Sequence, residues 1–148
     1  MLGPHMSLIA RVFPPFVGGR PAFGLLFVRV VSGSAMAIHG SGKIAKPFSW
    51  AGEGSFPAPA QAIAAISEFF GGIALAAGIL TPAACLGICA TLLVAIYTHV
   101  VKHQPFVAKG GPSYELAAIH FAIAFAVGLV GPGKLSLDAA IFGKGLRK

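Results

Sequence analysis

Acidic residues are nearly missing from this chain. Its 148 residues hold four Asp and Glu against eleven Lys and Arg, a formal net charge of +7. Charged residues of both signs reach only 10%, where a soluble domain has about 25%. That scarcity excludes an ordinary soluble globule. With 56% hydrophobic residues and a mean hydropathy of +0.84, the composition predicts an integral membrane protein whose first partner is the lipid bilayer. The positive balance does not mark a nucleic-acid surface. The basic residues are scattered among loops and tails and form no stripe, so no nucleic-acid partner is expected. Cysteine is scarce too. Cys85 and Cys89 lie four apart on one predicted helix face, which is not the Cys-x-x-Cys redox spacing. Small packing residues is one reading, and a thiol pair or soft-metal site is the other. No cleavable signal peptide is expected, because residues 6–20 hold Pro14, Pro15, Gly18 and Gly19 and no long apolar core.

What is present is a set of four apolar stretches. Residues 1–6 read as a cloning remnant and 7–20 as an N-terminal segment. Residues 21–133 form one transmembrane domain with predicted spans at 22–40, 60–80, 82–101 and 114–131. Residues 134–148 hold a short interfacial helix and a basic tail. Spans of this length fit a hydrocarbon core of about 30 Å. The predicted fold is all-α, an integral membrane four-helix up-down bundle. Its long 41–59 connection carries interfacial aromatics and suits a lid or binding loop. Six basic residues on the terminal side against four on the other place the termini in the cytoplasm.

Arg29 and Glu68 are the formal charges deep within the spans. An arginine at the centre of a membrane helix costs roughly 2.5–3.5 kcal/mol on insertion scales, so a partner is expected. Counting from Gly40 and Pro59 as the outer ends of spans one and two puts Arg29 and Glu68 at depths of roughly 16 and 14 Å. Pairing across antiparallel neighbours is the expectation. It serves either as a staple fixing helix register or as part of a ligand or proton site. His39, Lys43, His99, Glu115 and His120 fall toward the same end of the bundle, where histidines and a carboxylate can move protons. No His-x-x-x-His or Glu-x-x-His pair occurs in one span, so no metal site is assigned; His39 and His99 are the only metal candidates. No catalytic residue is assigned. Gly71 and Gly72 read as helix-packing positions.

Three blocks then stand in order: Arg29 with His39-Gly40-x-x-Lys43; Glu68-x-x-Gly71-Gly72-x-x-Leu75-x-x-Gly78-x-Leu80; and Gly131-Pro132-Gly133-x-x-Ser136-Leu137-Asp138. Together they resemble the DoxX family of small bacterial membrane proteins, over nearly the whole chain after residue 20. The resemblance implies a four-helix inner-membrane protein, and it carries over Arg29, His39, Lys43, Glu68, Ser136 and Asp138. Some members are similar to a subunit of thiosulfate:quinone oxidoreductase, and others accompany membrane oxidoreductase complexes. With no redox cysteine motif, haem signature or dinucleotide fingerprint, electron transfer would need a bound quinone, a metal or a partner subunit. Three functions remain open: a quinone-linked redox subunit, a non-enzymatic scaffold or assembly partner, and a small-molecule or metal binder. A redox-protein partner and a homo-oligomer accompany these readings.

Overall fold

The computed structural model describes residues 15–52 and 54–143. The expected cloning remnant, most of the N-terminal segment, Glu53 and the basic tail lie outside the described residues. Every regular element among the described residues is helical: α1 (Arg20–Ile44), α2 (Ala58–Ala77), α3 (Thr81–Val101), α4 (Glu115–Val130) and the short α5 (Leu137–Phe142). Helices α1, α2 and α3 are long and apolar enough to cross a membrane, and α4 is a shorter apolar helix of 16 residues.

Proline and glycine set the ends. Each of α1, α2 and α3 has a proline in its first two positions, where the missing N–H costs nothing. Helix α2 stops at Gly78, whose φ of 67° is left-handed. Gly78 N–H donates to the Leu75 carbonyl and Ile79 N–H to the Ala74 carbonyl, the paired bonds of a Schellman stop. The span expected to reach residue 80 therefore ends at Ala77.

Glycines also bring α1 against α2. A Cβ on Gly33 would lie 2.6 Å from Ala76 N and Gly72 O, and one on Gly72 would lie 2.5 Å from Ala37 N. Gly40 faces Phe69 in the same way. As the position on α1 rises, its neighbour on α2 falls, so the two helices are antiparallel with backbones in contact. Gly40, expected to end span one, is an interior contact position, and α1 continues to Ile44.

The core is small: Met36, Leu75, Cys85, Ile88, Leu92, Ala124 and Val127. Large apolar side chains instead cover the outside, among them Phe27, Ile38, Leu86 and Leu129, an arrangement suited to lipid and not to water.

Helix α5 closes one end. Asp138 is fully buried. Its Oδ1 accepts the Leu80 N–H at 2.8 Å and its Oδ2 the Thr81 N–H at 2.9 Å. In return Asp138 N–H donates to the Gly78 carbonyl at 2.8 Å. Helix α3 has no side-chain cap of its own at Leu80, so this carboxylate satisfies its orphan donors and complements its dipole. Ser136 caps α5 by accepting from Ala139 N–H, and its hydroxyl donates to the Gly133 carbonyl.

Candidate functional site

The two intramembrane charges do not meet. Arg29 is fully buried, and its Nη2 donates to the Leu135 carbonyl at 2.6 Å. Its guanidinium lies against Gly78, where a Cβ would overlap it, and it interacts electrostatically with Asp138. Nε and Nη1 have no hydrogen-bond partner. Glu68 sits at the level of Gly40, because Gly40 packs on the Glu68–Phe69 backbone. Eleven residues of α1 separate that level from Arg29, roughly 16 Å at 1.5 Å per residue. The expected Arg29–Glu68 pair is thus overturned. Its depth count set Pro59 level with Gly40, whereas Gly40 lies against Glu68–Phe69, well inside α2.

The true partner of Glu68 is Lys43. Lys43 Nζ lies 2.6 Å from both Glu68 oxygens. Glu68 is 3% exposed and Lys43 19%, so the carboxylate is sunk and the ammonium reaches down to it from the last turn of α1. Lys43 Nζ also sits 4.4 Å from the centroid of the Trp50 ring, within cation–π range. Trp50 is held in turn: its Nε1–H donates to the Gln61 carbonyl at 2.8 Å. The Gln61 side chain accepts from Ala51 N–H and donates to the Phe56 carbonyl, both at 2.9 Å. One buried glutamine therefore ties the 45–57 connection onto the start of α2.

Beneath this connection is a cavity of about 690 Å³, lined by all four long helices. Met36 and Leu92 are among its apolar walls. His39, Lys43, Glu68, His99 and His120 line it, which brings together five of the seven expected site residues. The other two lie elsewhere: Arg29 is at the closed end, and Glu115, half-buried at the start of α4, does not line the cavity. His120 is anchored by α1, with its Nδ1 2.8 Å from Ser32 Oγ. Ser32 is buried, so the bond fixes the ring at the cavity wall. His99 Nδ1 is held by Gln104 Oε1.

Sequence reasoning missed Ser32, Gln61 and Gln104. Ser32 stands seven residues before His39, two turns along one α1 face, which was a readable signal. The contacts of Gln61 and Gln104 depend on how the connections fold back, and no local pattern marks them. Gly71 and Gly72 do pack helices: Gly72 meets Ala37, and Gly71 approaches Ile88. Ser136 and Asp138 belong to the closed end. Among the described residues no three His, Cys, Asp or Glu side chains gather as metal ligands. Cys85 and Cys89 are free; Cys85 is in the core, and Cys89 Sγ contacts the Phe121 carbonyl at 3.9 Å.

The site is an apolar chamber with a neutralised ion pair, a clamped tryptophan and three imidazoles. Such a chamber can hold an amphiphilic ring and pass protons to or from its polar atoms. No curated protein matches the chain, nor does any solved structure. Residues 24–101, a little over half the chain, match the DoxX family. With its apolar helices and its three ordered motif blocks, the chain belongs to the DoxX family of membrane proteins.

Proposed function

We propose that this DoxX-family membrane protein is a quinone-linked, redox-associated subunit, and that its ring-binding site is the cavity under the 45–57 connection. The observation that carries the reading is the gathering of His39, Lys43, Glu68, His99 and His120 on one apolar chamber of about 690 Å³. The volume is within the range of about 300–1,000 Å³ typical of small-molecule sites. A bound quinone would supply two-electron chemistry coupled to proton uptake. The chain's part is to bind and to handle protons. Lys43 and Glu68 cancel each other's charge and so favour a neutral headgroup. Ser32 holds the His120 ring at the cavity wall, where an imidazole can relay a proton to the headgroup. Arg29 has no part in binding.

The same reading takes the four long helices as an up-down bundle in a bacterial inner membrane, with cytoplasmic termini. The cavity then faces the opposite side, where a redox-protein partner would dock and where a homo-oligomer would present several such sites. Trp50 is the single tryptophan and lines the cavity, so it reports occupancy. Titrating a decyl-tailed benzoquinone into the purified protein should quench Trp50 fluorescence saturably. Glu68→Gln and His120→Ala should each weaken that binding. Absence of saturable quenching in the wild type would overturn the proposal.

A second reading, a scaffold without chemistry, is favoured by the clamped connection. Gln61 fixes it from three sides and leaves Phe48 exposed. Capture of a redox protein that is lost on Phe48→Asp, together with no quinone binding, would select it.

A further inference from the structure

The same cavity is also bounded by α2 and α3. Near the Gly78 turn these helices touch. A Cβ on Gly87 would lie 3.1 Å from Ser67 Oγ, and one on Gly71 would lie 3.3 Å from Ile88. Those contacts set an antiparallel register in which Ala64 stands opposite Thr91 and Ala60 opposite Ala95. All four line the cavity. From Ser67 toward the connections, then, α2 and α3 stop packing on each other and frame a gap with small side chains.

The gap opens outward. Ile63 and Val94 both line the cavity, yet they are 64% and 52% exposed. Ala60 and Ala90 also line it and are exposed. These positions belong to helices apolar enough to cross a membrane, so their exposed faces meet acyl chains. Deeper in, the cavity is lined by polar groups from every long helix, among them His39 on α1, Glu68 on α2, His99 on α3 and His120 on α4, where Ser32 bonds the ring. The exposed rim of the gap, Ala60, Ile63, Ala90 and Val94, is therefore apolar, and His39 and His120 lie inside on the other two helices.

We infer that the α2–α3 gap is a lateral portal through which a single-tailed, neutral-headed amphiphile enters from the bilayer, head toward His39 and His120 and tail between Ala64 and Ala90. This inference rests on the proposed binding role of the cavity and adds its route and ligand class. A soluble metabolite or an ion would have no use for a lipid-facing mouth. The Lys43–Glu68 pair leaves no net charge to hold an ionic head.

The test uses the full chain in phosphatidylcholine vesicles and two photoreactive probes. One is a phenol with a decyl tail ending in a diazirine. The other is the same phenol with the diazirine on the ring and no tail. The tailed probe should label residues in 60–64 and 90–94, and Ala64→Phe should cut that labelling about tenfold, the change that about 1.4 kcal/mol makes in a binding equilibrium. The tailless probe should label near His39 and His120 equally in both proteins. Ala90→Phe, at an exposed position, blocks the same gap and guards against a folding defect in the first variant. Labelling by the tailed probe outside the gap, or unchanged in both variants, overturns the portal. Excess decyl-tailed benzoquinone separates the two ideas. Portal labelling that the quinone does not displace leaves the portal standing and overturns the quinone reading. Quinone binding that both Phe variants leave intact does the reverse.

Discussion

The two ends of the helix bundle use their polar residues in opposite ways. At the α2–α3 turn, polar groups are consumed by backbone: Asp138 takes two N–H groups of α3 and returns its own to Gly78, and Arg29 donates to Leu135. Glycine contacts and a left-handed stop leave no room there. At the other end, polar groups face a cavity, held by the Lys43–Glu68 pair, the clamped loop and side-chain bonds to His99 and His120. A buried arginine and a buried glutamate look alike as rare intramembrane charges. Their surroundings show that one holds the fold while the other is placed beside a chamber. An intramembrane charge is thus a pointer to function only once its partners are known.

The contrast breaks most readily at the closed end. Asp138→Ala leaves the Leu80 and Thr81 N–H groups without their acceptors. Each buried donor left without a partner costs about 1–3 kcal/mol, so thermal unfolding in detergent should show the largest fall in Tm of any variant considered. Next comes Gly72→Val, which forces a side chain into the Ala37 backbone; overpacking of this kind costs about 1–3 kcal/mol, and the same unfolding assay reads it. Third, Glu68→Gln should weaken quinone binding by about tenfold, near 1.4 kcal/mol, with a smaller change in Tm than Asp138→Ala, because Lys43 regains water. The smallest effect belongs to Glu115→Gln. Its side chain lies outside the cavity, and a substitution away from packed features stays within about 0.5 kcal/mol. Quinone titration and unfolding should both return the wild-type values.

Much of the fold was legible because membrane spans are written locally. The four apolar stretches, the Thr81-Pro82 start of α3 and the Gly131 stop of α4 needed only hydropathy and the conformational habits of Pro and Gly. Gly40 misled because glycine ends helices and also lets helices touch, and sequence alone does not say which. Counting depths from Gly40 and Pro59 set those two residues level, whereas Gly40 lies against Glu68–Phe69, and that offset produced a false partner for Glu68. Five of the expected residues still line one cavity, since His39, Lys43, Glu68, His99 and His120 share an end whatever the register. Asp138 was legible as a motif position only; its bonds to Leu80 and Thr81 cross 57 residues of chain or more. Gln61 was hidden for the same reason: the connection must fold back before its three hydrogen bonds exist.

The central claim is that the cavity end binds and the Arg29 end only holds. Trp50 quenching by a decyl-tailed benzoquinone, measured together with Tm for Arg29→Lys and Glu68→Gln, tests it most directly. The account predicts that Arg29→Lys lowers Tm and leaves the quinone Kd of the folded protein unchanged, while Glu68→Gln raises Kd about tenfold. A raised Kd in Arg29→Lys with Tm intact, beside an unchanged Kd in Glu68→Gln, would contradict it.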